Sequence, residues 1–348
     1  MSIYKKLKIA GLIFLAMLIA GGIVVYRLYG QIYGSNMSLR SGEPVFMFIP
    51  TGSDFEDVCL SLEEAGLQNI ESFRMLAARM NYRGAVRAGR YRLTDGMSNI
   101  ELVRMLRSGR QAPVNVIFNN IRINEQLAGA VAPFIETDSA SIIALMNDND
   151  FLREHYNHSS QTILSMCIPN TYEFMWSTSA KGFFDRMSRE YERFWTEERR
   201  NKAREANLTP LQVSILASII EEETQQNSEK PRMAGVYINR LNRGMILQAD
   251  PTLKFALGDF TIRRVLDRHK EVDSPYNTYK HTGLPPGPIC SPSIASIDAV
   301  LNFEKHEYLF FCARADFSGF HNFARTLQEH NRNANAYHRW LNERRLFR

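Results

Sequence analysis

Cysteine is scarce and scattered. Cys59, Cys167, Cys290 and Cys312 stand far apart and form no CxxC pair, so the sequence offers neither a zinc ribbon nor a dithiol redox motif. HExxH is missing, as is any other grouping of metal ligands at a recognisable spacing. Neither a metal nor a cofactor is expected. Charge of one sign is also weak. The formal net charge is +5, and its densest part is Lys5, Lys6 and Lys8. No stripe of Lys and Arg interleaved with aromatics follows, which argues against nucleic acid as a partner. The composition that remains is ordinary for a globular protein: 45% hydrophobic and 23% charged residues in a chain of 348. That is enough for two domains or one large one with extensions.

Residues 9–26 read IAGLIFLAMLIAGGIVVY with no charged residue. This is about the minimum length that crosses a bilayer as a helix. The lysines before it set the expected orientation: residues 1–8 cytoplasmic, and everything after Arg27 on the outer side of the membrane. The competing reading is a cleaved signal peptide, with an apolar region of about 7–15 residues and a small-x-small cleavage site. RLYGQIYG offers no such site, and no cysteine follows for lipid attachment. A single uncleaved anchor is therefore expected, with residues 27–44 as a polar spacer.

The rest divides by pattern into an α+β arrangement. Residues 45–112 form a small module. VFMFIP alternates as a strand, Asp54 caps a helix carrying Val58, Leu60 and Leu62, and IESFRMLAARM makes a second helix. Strand, turn and helix then recur: Tyr91 and Leu93 alternate, Asp95-Gly96 turns, and Ser98 caps a helix with Ile100, Leu102, Val103 and Leu106. Residues 113–207 form a connecting region. It has a strand-like VNVIFNN, an irregular aromatic CIPNTYEFMW, and one long helix over about 181–206, where Phe183, Met187, Tyr191 and Trp195 recur every fourth residue. In residues 208–348, expected to be the catalytic domain, Thr209, Pro210 and Gln212 supply an N-cap, a first-turn proline and a capping box.

That start sets the phase of a helix ending in three glutamates. Counting about 100° per residue, Val213, Ile215, Leu216, Ile219 and Ile220 share one side, and Glu223 falls near its centre. Glu221 points nearly opposite, toward solvent, and Glu222 lies at the edge. A carboxylate aligned with a buried stripe is costly as an anion. Desolvation raises its pKa and keeps the proton a general acid needs. The alternative is that the helix end simply emerges from the core and Glu223 is wet.

Several motifs then occur in order: LASIIEEET, VYINRL, LQADPT, PYNTY, TGLPPGPICSPS and HNFARTLQEHN. Together they resemble the YceG-like family of endolytic murein transglycosylases, strongly over about 212–340. The anchor and the 45–112 module match the family's membrane helix and LysM-like subdomain more loosely. In the family the catalytic glutamate directly precedes the threonine, which is Glu223 here. The sequence departs from the family where FNNIR stands for a usual PEG turn, and at Glu222, where lysine is common. The resemblance implies cleavage of the bond between N-acetylmuramic acid and N-acetylglucosamine in peptidoglycan strands, leaving 1,6-anhydro ends, and a role in terminating nascent strands. It also implies cell-wall synthases as partners; no residue pattern shows them.

The remaining candidates each carry a plainer reading. Gln248 and Asp250 can contact substrate or close a turn, and Asp250 is the best second carboxylate if the enzyme is a hydrolytic muramidase. Tyr276, Asn277 and Tyr279 sit in a Pro/Gly-rich loop whose rings and amide suit sugars, or serve the loop itself. His321 and Asn322 can bind substrate or position Glu223, or be structural; His330 and Asn331 are expected to support the fold. A non-catalytic peptidoglycan-binding anchor is the reading from another class, and the intact Glu223 argues against it.

Overall fold

The structure, a computed structural model, describes residues 3–262 and 264–344. Residues 1–2 of the expected cytoplasmic tail, Arg263, and residues 345–348 of the expected catalytic domain lie outside the described residues. The fold is mixed α+β and divides into two compact units. The first comprises residues 1–115, 134–136 and 173–178; the second comprises 116–133, 137–172 and 179–348.

In the first unit the elements are α1 Ile3–Tyr33, β1 Val45–Ile49, α2 Phe55–Ala65, α3 Ile70–Arg79, β2 Gly89–Leu93 and α4 Asn99–Ser108. Helix α1 contains a stretch, Leu7–Tyr33, long and apolar enough to cross a membrane. It continues seven residues past the expected end, so the spacer is shorter than its polar composition implied. The chain after it is also pinned, with Met37 and Leu39 in the unit's core and Ser35 and Met37 bridged to Ser98 and Leu67.

Strands β1 and β2 pair antiparallel, Val45 opposite Leu93 and Ile49 opposite Gly89. Alternation turns Met47, Ile49, Tyr91 and Leu93 inward. Helix α2 buries Phe55, Val58, Cys59 and Leu62, the i, i+3, i+4, i+7 set of one face. Leu60 falls off that face and is 58% exposed. Asp54 and Asp57 close a reciprocal capping box at its start. A buried amide chain ties the elements: Asn36 donates to Asn99 Oδ1 at 2.7 Å and Asn99 donates to Ser72 Oγ at 2.8 Å.

The division falls within β3 Val114–Phe118 and within β4 Asn170–Phe174; β4 orders part of the stretch whose composition looked irregular. The second unit holds α5 Asn124–Val131, α6 Ser139–Asn147, α7 Asn149–Tyr156, α8 Ala180–Phe194, α9 Glu197–Glu205, α10 Pro210–Glu223, α11 Lys230–Asn242, α12 Asp250–Leu257, α13 Ile294–Leu301, β5 Phe310–Ala313, β6 His321–Ala324 and α14 Leu327–Glu343. The single helix expected over 181–206 is two. Trp195 leaves helical geometry and is buried, and Thr196 opens α9 by accepting from Arg199 N at 3.3 Å.

Helix α10 is the spine of this unit. Its capping box forms as its sequence indicates: Thr209 N donates to Gln212 Oε1 at 2.8 Å and Thr209 Oγ1 accepts from Gln212 N at 3.2 Å. All eight residues from Val213 to Ile220 are buried. The apolar stripe is thus only half the story. Ser214, Ala217 and Ser218 make a second buried face, small enough for close packing, where Ile289 N donates to Ser218 Oγ at 3.0 Å. The hydroxyls of Ser214 and Ser218 are satisfied by carbonyls of their own helix.

Candidate active site

The last turn of α10 presents three glutamates, and each meets a different environment. Glu221 was expected in solvent, but the far side of α10 is covered. Its carboxylate accepts from the hydroxyls of Ser293 (2.5 Å) and Ser296, and from Lys230 Nζ at 3.2 Å. Lys230 is only 3% exposed. Burial opposes the Glu221 charge, but the two hydroxyls and the ammonium outweigh it and hold the carboxyl below its ordinary range. Glu222 is gripped by the guanidinium of Arg122, with Nε at 3.1 Å and Nη2 at 3.0 Å.

Among the described residues Glu223 has no cation within ion-pair distance. Its Oε1 accepts the phenol of Tyr237, from α11, at 2.6 Å. Burial raises its pKa to about 7, against the lowering effect of that hydrogen bond. The nearby Asp250 raises it further, while Lys254 and Arg240 pull it down. A carboxyl with this midpoint holds its proton through mildly acidic pH and can also work as a base after giving it up.

Glu223 lines a cleft of about 310 Å³ together with Tyr237, Arg240, Leu247, Gln248, Asp250, Tyr279, Phe310, Phe311, Leu327 and His330. A larger groove, about 920 Å³, lies in the first unit between the chain at 38–48 and α2; its two glutamates, Glu63 and Glu64, are exposed. Arg240 forms the cleft's fixed positive floor. It is buried, donates to Leu309 O and Leu247 O at 2.6 Å each, and lies 5.3 Å from the Phe310 ring. Gln248 adopts a left-handed backbone (φ +51°) and donates its N–H to Thr278 O at 3.0 Å. A non-glycine residue held there at a cleft is the kind of strain that functional sites store. Asp250, in the first turn of α12, accepts the Tyr279 phenol at 2.5 Å.

The structure therefore brings Gln248, Asp250 and Tyr279 to Glu223, but not the other candidates. Asn277 is fully buried and donates to Lys270 O and Val272 O at 2.9 and 2.8 Å, holding its own loop. Tyr276 is buried in the core against Phe255, ring centroids 4.7 Å apart. His321 is clamped by Glu229 through Nδ1 at 2.7 Å and N at 2.9 Å, and packs edge-on against Phe311. Asn322 sits opposite Cys312 in the β5–β6 hairpin. None of these four lines the cleft.

Three polar lining residues were given no part in the site from sequence. Tyr237 and Arg240 lie in VYINRL, three apart on one helix face, but nothing local says that this face meets Glu223. His330, expected to support the fold, stacks on Phe310 (5.5 Å, 26°) and has a buried Nδ1 without a partner. Among the described residues no group of three or more His, Cys, Asp or Glu is placed to hold a metal, and all four cysteines are free thiols.

A YceG-like family model matches residues 47–336. Over 344 residues the chain is 29% identical to an endolytic murein transglycosylase of Bacillus subtilis (strain 168), covering 94% of this chain and 93% of that one. It is 28% identical over 361 residues to an endolytic murein transglycosylase of Streptococcus pneumoniae serotype 2 (strain D39 / NCTC 7466), covering 94% of this chain but 64% of the longer relative. Among solved structures it is similar to a YceG-like protein from Listeria monocytogenes, with a TM-score of 0.54, 29% identity, and coverage of 83% of this chain and 98% of that one.

Proposed function

The chain belongs to the YceG-like family, and from that premise we propose that it is an endolytic murein transglycosylase whose acid/base is Glu223. The observation that carries the reading is the half-buried carboxyl with its pKa raised to about 7 at the wall of a cleft. Protonated Glu223 gives its proton to the glycosidic oxygen as the bond from C1 of N-acetylmuramic acid to the leaving N-acetylglucosamine breaks. The 6-hydroxyl of the same muramic acid closes on C1, and its proton passes to the Glu223 carboxylate. The residue ends as it began, no water is consumed, and the new end is a 1,6-anhydro sugar.

Tyr237 steadies the carboxyl in the geometry that both transfers need. Arg240 and Lys254 favour its charged form between them. Gln248, Asp250 and Tyr279 offer hydrogen bonds to the sugars. Asp250 also keeps a hydrolytic reading open, because a glycoside hydrolase pairs an acid with a second carboxylate. Mass spectrometry of digested peptidoglycan separates the two. Products lighter than reducing ends by one water are expected from the parent and from Asp250→Asn. Reducing ends from the parent, with turnover abolished in Asp250→Asn, would make the enzyme a hydrolase.

Activity should need Glu223 protonated, so kcat/KM should fall as pH rises through about 7. The Tyr237 hydrogen bond favours the anion. Tyr237→Phe should therefore move that limb to higher pH and cost about tenfold in rate, the worth of one hydrogen bond to a charged group. An unmoved limb would separate Tyr237 from the titration.

The same reading assigns residues 9–26 to a single-pass inner-membrane anchor with 1–8 cytoplasmic and the remainder periplasmic, in line with the lysine bias and the apolar helix. It treats 45–112 as a LysM-like glycan-holding module, 113–207 as connection, 208–348 as the catalytic part, and the cut as a terminator of nascent strands made by neighbouring synthases.

A further inference from the structure

Beside the cleft, on the other side of the α10 and α12 ends, lies a recess of about 80 Å³ lined in part by Arg122, Glu222, Lys254 and Phe260. Consecutive residues of α10 divide between the two spaces, Glu223 facing the cleft and Glu222 the recess. So do Asp250 and Lys254, one turn apart on α12, roughly 6 Å along its axis. The charges in the recess do not cancel. Glu222 is taken up by the Nε and Nη2 of Arg122, which leaves Nη1 facing no acceptor among the described residues. Lys254 is half-buried, yet among the described residues its ammonium has no carboxylate within ion-pair distance and no hydrogen-bond acceptor. Two cations thus stand against one carboxylate. The Phe260 ring lies 5.2 Å from the Arg122 guanidinium, which together with the Glu222 fork fixes the plane of that group. A pre-oriented guanidinium with a spare N–H, next to an unpaired ammonium, is a receptor for a carboxylate.

We propose that this recess is a subsite for a carboxylate borne by the substrate's acyl substituent, held by Lys254 and Arg122 while the scissile bond lies at Glu223. The inference rests on the glycan-cleaving reading above. Two sources fit: the lactyl carboxyl of N-acetylmuramic acid itself, free where no peptide is attached, or a carboxyl of an attached acidic peptide. The subsite acts on binding and selects which strands are cut.

The test compares kcat/KM of the parent and Lys254→Met on three preparations of the same strands. The first bears peptides. The second is stripped by an amidase, so that the lactyl group is its only carboxylate. The third is stripped and then carbodiimide-amidated, and carries none. Lys254 also acts electrostatically on Glu223, but that effect is common to all three and cancels in ratios between substrates. The preference for one charged preparation over the amidated one is expected to fall about tenfold in Lys254→Met and to return largely in Lys254→Arg. Loss of preference for stripped strands names the lactyl carboxyl; loss for peptide-bearing strands names the peptide. A parent with no preference for either charged form, or a variant that lowers all three equally, overturns the subsite and leaves the function standing. A parent that cuts none of them overturns the function instead.

Discussion

Glu223→Gln is expected to lower glycan cleavage by at least ~10²-fold, the lower end of what general acid–base catalysis contributes. The amide keeps the size and accepts the same bond from Tyr237, but it has no proton to give. The fold should survive, and above neutral pH it should gain. The parent carboxyl has its folded pKa raised from 4.5 to about 7, so the native state binds the extra proton between those values and stability drains as pH rises through them. The slope approaches about 1.4 kcal/mol per pH unit there. Glutamine removes that dependence. Thermal melts at pH 5 and pH 8 should show the variant's advantage only at the higher pH. Retention of parental cleavage by Glu223→Gln would refute the mechanism.

Glu221→Gln, two residues earlier, should do the reverse. It is expected to cost about 3 kcal/mol of stability, because it strands the buried Lys230 ammonium without its countercharge. The loss should appear as a lower denaturant midpoint at unchanged slope. Glu221→Gln combined with Lys230→Met should recover most of it, since removing both charges leaves nothing unpaired. The pH sign is also opposite. Glu221 has a depressed pKa, so its contribution is present near neutrality and lost on acidification through the folded value. A melt unaffected by Glu221→Gln would mean that the serine hydroxyls alone suffice.

How much of this could be read beforehand follows from where the information lies. The capping box at Thr209 and the spacing of Val213 to Ile220 are local, and they were enough to set Glu223 apart from its two neighbours in orientation. Glu221 was misplaced because a helical wheel assumes one wet side, and Ser214, Ala217 and Ser218 are small enough to let a second layer cover the other. The break at Thr196 was hidden by an every-fourth apolar spacing, Phe183 to Trp195, that runs right up to it and carries no stop signal. Loop composition marked Tyr276, Asn277 and Tyr279 alike, yet only Tyr279 reaches the cleft. An amide suited to sugars is equally suited to the two backbone carbonyls that Asn277 caps. Tyr237 and Arg240 arrive from the next helix and His330 from the last one, and their meeting with Glu223 depends on how those helices pack.

Helix α10 ends in three acidic residues with no basic one in its last turn. The aligned peptide dipoles place partial negative charge at this end, so each carboxylate is disfavoured by its own helix. Two of the three are relieved by a cation, Lys230 for Glu221 and Arg122 for Glu222. The third receives a neutral phenol and keeps its proton. Three identical neighbouring side chains are thereby sorted into two ion-paired anchors and one carboxyl of raised pKa by what lies opposite each. Register is what maintains the sorting. One residue inserted between Pro210 and Glu221 would turn all three by about 100°, swing the acid away from Tyr237, and abolish cleavage with every glutamate still present.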